Sequence, residues 1–304
     1  MATETNGAAI RPLRLVEADG LGRRRHVVVL LLNWNNSRDT NECLESLRGV
    51  EYDDWNVIVL DNASTDGSVE RIRGRFPEVE IMKLGENLGF AGGNNAGIRA
   101  ALERGAEYVW LLNNDTTVAP ETLRAMVEKA EADPKVGAVG SAIYSAAEPE
   151  RLQAWGGGYV NFLLGRSRHY LRPVPDERIG FLTAASLLLR RSALESLGLL
   201  DDRFFMYWED ADYCFRLRSA GWRLAVAGNS KVWHKEQGSV GKQSALLDTY
   251  FNRSAARFFE KNSRVPFIPT WVGVTLRVAK RAIRGDFKKV RAVWTGITRT
   301  ETVR

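Results

Sequence analysis

Short, uninterrupted apolar runs alternate along this chain with stretches whose apolar residues recur at helical spacing. His26 to Leu32 is a β-branched and leucine run of the kind found in strands covered on both faces. Asn33-Trp34-Asn35-Asn36-Ser37 breaks it, and Asp39 to Leu47 then shows helical spacing through Cys43, Leu44 and Leu47. The same alternation predicts strands at Trp55 to Leu60, Val79 to Leu84 and Tyr108 to Leu112. Helices are predicted at Ser68 to Phe76, Asn94 to Arg104 and Pro120 to Ala130, where the proline suits a first helical turn. Such β-α-β order predicts an α/β fold, Rossmann-like, with a mainly parallel central sheet flanked by helices. Beyond residue 140 the pattern weakens. Trp155-Gly156-Gly157-Gly158 reads as a flexible or closely approached loop, and Phe181 to Leu189 as a buried strand or helix.

Polar clusters stand where the predicted strands end. Asn33, Asp61 and Asn113-Asn114-Asp115 all fall at carboxyl ends, where open α/β sheets bind ligands. A carboxylate only accepts hydrogen bonds, so Asp61 would select a flat base with an N–H, such as uracil or thymine. The same segment also reads as an Asx turn capping the next helix. Gly85 to Gly97 is glycine-rich and runs into a helix, so its amides suit a phosphate or ribose, with Asn94 or Asn95 as cap. A plain tight turn explains it equally. Asp115 is one hard oxygen ligand beside two amides; Mg²⁺ or Mn²⁺ on a diphosphate needs only one or two protein carboxylates. A polar turn that merely caps a helix is the alternative.

A second acidic cluster, Glu209-Asp210-Ala211-Asp212, lies among Phe204, Phe205, Tyr207, Trp208 and Tyr213. Acids crowded among aromatics are costly unless they bind a cation, accept hydrogen bonds or move protons. Helix-dipole capping explains some of this cluster. Asp212 and Arg216 are spaced to pair on one helical face, which leaves Asp210, with Glu209 as second candidate, as a general base. His234 precedes a loop opening at Glu236; a structural role and a ligand-facing role both fit it, whereas His26 and His169 have no comparable setting.

Charge divides the chain. The formal charge is +6, but Arg264 to Arg304 holds ten Lys/Arg against two acids, a net +8, leaving −2 for the rest. The expected organisation is a flexible tail over 1–25, a catalytic domain over 26–263 and a basic amphipathic helical tail over 264–304. In that tail Val272, Leu276, Ala279 and Ile283 share one face. The segment 265–291 suits an anionic membrane surface, and it equally suits docking on its own domain or a second subunit. Nucleic acid is not implied. Cys43 and Cys214 give no disulfide framework or metal spacing. No secretory signal is apparent, and Val27 to Leu32 falls far short of the roughly 20 residues that span a bilayer. The expectation is a cytoplasmic protein, peripheral on the inner face of the membrane if the tail binds lipid.

As an ordered set, Val29–Asn35, Leu60–Ser68, Asn87–Asn95, Leu112–Asp115 and Phe205–Cys214 resemble the family 2 inverting glycosyltransferases of the GT-A fold, especially their rhamnosyltransferase-like branch. The resemblance implies that Asp61 reads the pyrimidine, that Asn33, Asn95 and Asn114 contact the nucleotide, and that Asp115 and His234 bind the metal. Asp210 becomes the catalytic base, with Glu209, Asn113 and Trp208 as secondary candidates. The family's metal element here reads Asn113-Asn114-Asp115, with a single carboxylate, and no processive QxxRW element is present. The implied reaction moves one sugar from a dTDP- or UDP-sugar to a glycan or polyprenyl-linked glycan hydroxyl, with inversion, in cell-surface polysaccharide synthesis. A sugar-1-phosphate nucleotidyltransferase would carry a basic glycine-rich loop after the first strand, and a dehydrogenase a GxGxxG; neither is present. A binding module without transfer activity would have no use for Asp210.

Overall fold

A computed structural model describes residues 25–235 and 245–298. The expected flexible tail lies outside the described residues up to residue 24, as do the loop opening at Glu236 and residues 299–304.

The N-terminal half follows the predicted alternation. β1 (Val27–Asn33), α1 (Ser37–Leu47), β2 (Trp55–Asp61), α2 (Ser68–Arg75), β3 (Glu80–Lys83), α3 (Gly89–Glu103) and β4 (Tyr108–Asn113) form a parallel block in the order β4-β1-β2-β3. Successive β1 side chains enter opposite cores. Val28 and Leu30 pack on the side of Ile98 from α3, and Val27, Val29 and Leu31 on the side of Leu44 from α1. Both faces are covered, which is why the run is apolar without interruption.

Beyond β4 the sheet stops being parallel. β5 (Thr116–Val118), α4 (Thr122–Glu131), β6 (Val136–Ser145), β7 (Leu152–Trp155), β8 (Gly157–Asn161), β9 (Arg166–His169), β10 (Phe181–Leu182), β11 (Ser186–Arg190), α5 (Arg191–Leu197), α6 (Glu209–Ser219) and β12 (Arg223–His234) complete a twelve-stranded sheet. β11 inserts antiparallel between β4 and β6, and β7, β8 and β9 pair antiparallel. The whole is therefore mixed rather than mainly parallel, because the short connections here permit hairpins and not crossovers. The ambiguous run 181–189 resolves into two strands, β10 and β11.

Only the first four residues of the glycine-rich segment, 85–88, form a loop. α3 begins at Gly89, five residues before the predicted start, so Asn94 and Asn95 lie inside it and cap nothing. A Cβ on Gly93 or Gly97 would crowd Leu32, or Leu30 and Leu60, so these glycines let the helix lie close on β1 and β2. Gly156 (φ 67°) turns β7 into β8, and a Cβ on Gly157 would overlap the Phe181 carbonyl oxygen. Trp155–Gly158 is thus the closely approached alternative of the two expected.

The tail is helical but not as the pattern suggested. α7 (Ala245–Asn262) buries Phe258 and Phe259 in the core, and α8 (Phe267–Ile283) and α9 (Phe287–Thr298) pack on α7, separated at Gly285. The residues of α8 that turn inward are Pro269, Gly273 and Val274, with Arg277 and Arg281. Arg277 Nε donates to Asn252 Oδ1 at 2.6 Å, and Arg281 pairs with Asp248. Leu276 and Ile283 are left exposed. A hydrogen bond to buried Asn252 and an ion pair to Asp248, both on α7, accompany the inward Pro269, Gly273 and Val274 on the face that docks.

Gly157→Ala is expected to lower stability by about 2–4 kcal/mol, because the obstructing atoms are backbone that cannot rotate away. Urea unfolding with an unchanged m-value is the measurement.

Candidate active site

Parallel pairing puts Asn33 opposite Asp61 and Leu32 opposite Asn113, so the three polar clusters share one sheet edge. Their side chains form a single relay. Asn114 Nδ2 donates to Thr40 Oγ1 (2.9 Å), Thr40 Oγ1 to Asn33 Oδ1 (2.9 Å), and Asn33 Nδ2 to Asp61 Oδ1 (3.0 Å). Asp61 Oδ2 accepts from the Ser64 N–H at 3.1 Å, closing the predicted Asx-type turn. All four relay side chains are buried, where unmade hydrogen bonds would each cost about 1–3 kcal/mol.

β12 carries the distant histidine to this edge. It pairs antiparallel with β5 and parallel with β6, so His234 stands opposite Thr116. His234 Nε2 lies 3.2 Å from Asp115 Oδ1 and 3.3 Å from Asn113 Nδ2. The Lys235 N–H donates to the Asp115 carbonyl at 3.0 Å, and Lys235 Nζ pairs with Asp39 and Glu42 of α1. These contacts fix the direction of the Asp115–His234 pair.

The second acidic cluster opens α6. Tyr207 and Trp208 both hold left-handed backbone (φ 68° and 69°), a conformation costly for bulky residues. Aromatic packing holds them there. Trp208 meets Phe258 and Phe259 at ring separations of 4.8 and 5.3 Å, and Ser254 Oγ donates to the Met206 carbonyl. Glu209 and Asp210 follow on the first turn. Asp210 Oδ2 accepts from the Ala184 N–H (3.1 Å) and Oδ1 from its neighbour Ala211 N–H (2.7 Å). Burial pushes its carboxyl above the usual range, against those two hydrogen bonds and the nearby His169 imidazole. Glu209 goes up further, through burial and then the Asp210 charge. Asp212 is structural as predicted, paired with Arg216 (3.1 Å) and Lys261 (2.8 Å).

Both clusters face one cavity of about 740 Å³. Its wall includes Asn113, Asn114, Asp115 and His234 from one side, and Trp208, Glu209 and Asp210 from the other. Asn33 and Asp61 do not line it; their chain neighbours Trp34 and Asn62 do. Asn95, expected at the nucleotide, is instead committed to Leu200: its Nδ2 donates to that carbonyl and its Oδ1 accepts that N–H. Deep placement in α3, facing the 200 loop, is the physical reason. His169 was given no role by the sequence, yet β9 brings it into the wall beside Asp210's charge. Thr40 and the Ala184 N–H were also missed, and only strand register reveals them. Cys43 and Cys214 are buried, and burial pushes both thiols up to about 12.

Asp115 and His234 offer one carboxylate oxygen and one imidazole nitrogen side by side on the cavity wall. That donor set fits a Mg²⁺ or Mn²⁺ ion whose remaining ligands are diphosphate oxygens and water. Among the described residues no cluster of three metal-ligating side chains forms, so the protein alone would not cage the ion.

An α/β sheet with a carboxylate–imidazole pair at its edge, facing a second pair of acids across a cavity, is an arrangement suited to group transfer. The chain belongs to glycosyl transferase family 2, whose model matches residues 28–198, and it is a glycosyltransferase. It is 31% identical over 214 residues to the N-acetylglucosaminyl-diphospho-decaprenol L-rhamnosyltransferase of Mycobacterium tuberculosis, covering 62% of this chain and 69% of that one. The low-salt glycan biosynthesis hexosyltransferase Agl10 of Haloferax volcanii is 27% identical over 198 residues, 62% and 61% of the two chains. Among solved structures, the Pyrobaculum calidifontis mannosyltransferase PcManGT, in complex with GDP-Man and Mn²⁺, superposes with a TM-score of 0.57 at 20% identity, covering 92% of this chain and 77% of that one. The fold is GT-A, with a mixed central sheet.

Proposed function

We propose that the chain transfers a single sugar, with inversion, from a dTDP- or UDP-sugar to a hydroxyl of a lipid-linked glycan in cell-surface polysaccharide synthesis. The observation that carries this reading is the shared cavity, with the Asp115–His234 pair on one side and Asp210 on the other. In this reading Asp210 takes the proton of the acceptor hydroxyl as that oxygen attacks the anomeric carbon. A raised carboxyl pKa makes it a stronger base, and the Ala184 and Ala211 amides hold it in place. One base and one displacement leave the configuration inverted. Asp115 and His234 would hold the divalent cation, which when bound supplies positive charge against the departing diphosphate. The Asp61–Asn33 pair, one residue behind the wall, orients the segment that meets the base. Asn114 is an additional nucleotide contact.

The mycobacterial relative, an N-acetylglucosaminyl-diphospho-decaprenol L-rhamnosyltransferase, supports the lipid-linked acceptor and a deoxyhexose donor. Placement at a membrane surface has its own support. No described helix is long and apolar enough to cross a bilayer. Yet among the described residues eight of the twelve exposed large hydrophobics fall within 265–294, including Phe267, Trp271, Ile283 and Phe287. Exposed Lys280, Arg284, Lys288 and Arg291 are interspersed with them, the composition that binds anionic interfaces. In this reading the protein sits peripherally on the inner, cytoplasmic face of the membrane.

Asp210→Asn should lower transfer about 10²- to 10⁴-fold while nucleotide affinity stays within a factor of two or so; calorimetry with the diphosphate separates the two, and retained turnover rejects the assignment. For Asp115→Ala, nucleotide binding measured with Mn²⁺ should weaken by about tenfold or more, and binding without metal should change little. Phe267→Glu with Trp271→Glu should reduce co-sedimentation with phosphatidylglycerol vesicles several-fold, leaving transfer to a water-soluble acceptor intact. Equal binding of wild type and variant would remove the membrane assignment.

A further inference from the structure

Glu209 is a buried acid of the cavity that the reaction above does not use. Its residue is only 5% exposed, it lines the cavity, and its Oε2 has no hydrogen-bond partner among the described residues. Asp210 beside it is satisfied by two backbone amides, whereas no cation bears on Glu209 among the described residues. Burial and the Asp210 carboxyl push Glu209 up, outweighing its own backbone N–H, and the nearby Tyr207 phenol does not favour a second negative charge either. Two adjacent acids in such different settings divide their roles: the one held by two backbone amides ionises, and the one with an unpartnered oxygen keeps its proton. A buried neutral acid still has an O–H to satisfy, and an unmade bond there is costly. The backbone strain at Tyr207 and Trp208 shows that the fold maintains this placement at a cost.

We propose that Glu209 is a specificity-determining residue that works as a neutral acid, its unpartnered oxygen donating a hydrogen bond to a hydroxyl of the sugar bound beside Asp210. The proposal rests on the transfer reading given above. Its ligand chemistry is an uncharged sugar hydroxyl, supplied by the donor or by the acceptor.

The test uses the full-length enzyme and the donor that turns over in a nucleotide-sugar panel. Glu209→Gln keeps a donor group of the same size and is expected to restore transfer to within about tenfold of wild type, whereas Glu209→Ala should raise one KM about tenfold or more with a smaller change in kcat. A rise in the donor KM, together with slower donor hydrolysis in the absence of acceptor, assigns the hydroxyl to the donor. A rise in the acceptor KM alone assigns it to the acceptor. Diphosphate binding by calorimetry checks that each variant is folded. If Glu209→Gln is as inactive as Asp210→Asn while still binding diphosphate, Glu209 works as an ionised group and the proposal is overturned. If Glu209→Ala leaves both KM values at wild type, Glu209 meets no sugar and the proposal is overturned as well. Absence of transfer in the wild type would instead count against the transfer reading itself.

Discussion

The relay from Asp61 through Asn33 and Thr40 to Asn114 is the constraint on which the rest of the site depends. Three parallel strands end side by side, and each end leaves polar backbone and side-chain groups that must find partners. Here they find one another, with α1 supplying Thr40 from its first turn. The result is a rigid sheet edge whose outward groups are already oriented before any ligand arrives. β12 then extends the edge by pairing with β5 and β6, which is how a residue at position 234 meets one at 115.

The opposite wall is built by different physics. Few polar contacts fix the approach to α6; stacked and tilted rings do, with Phe205 against Tyr250 at 4.7 Å and Trp208 against Phe258. This packing forces two large residues into left-handed backbone and sets two carboxyl groups into a nearly dry surface. Rigidity on the polar edge and apolar confinement on the aromatic wall together set two adjacent acids in unlike surroundings, one held by backbone amides and one with an unpartnered oxygen.

Much of this was legible from the residues. β1, β2 and β4 were readable because strands covered on both faces write themselves as unbroken apolar runs, and their polar ends announced the edge. Asp210 drew attention as an acid among aromatics, and Asp115 as a carboxylate beside two amides at a strand end; the structure brings both to one cavity. The antiparallel half was not legible, since a five-residue run such as Ser186–Arg190 has no period of its own and its direction is set by its neighbours. α3 was misread at its start because its glycines serve close packing on Leu30 and Leu60, a requirement seen only in three dimensions. Asn95 was misplaced for the same reason, and His169 was overlooked because β9 brings it in from a segment with no pattern. In α8 the apolar spacing of the sequence pointed one way, and Arg277 on Asn252 with Arg281 on Asp248 mark a docked face that points another.

The double use of Trp208 has an evolutionary corollary. Its indole closes the hydrophobic interior against Phe258 and Phe259 while its other side borders the substrate space. Any drift of this wall toward a new sugar therefore perturbs folding as well, so the two traits are inherited as one. The hairpin arm bearing His169 sits at the sheet's periphery and carries a lighter share of that burden, its imidazole meeting the buried Phe181 ring edge-on.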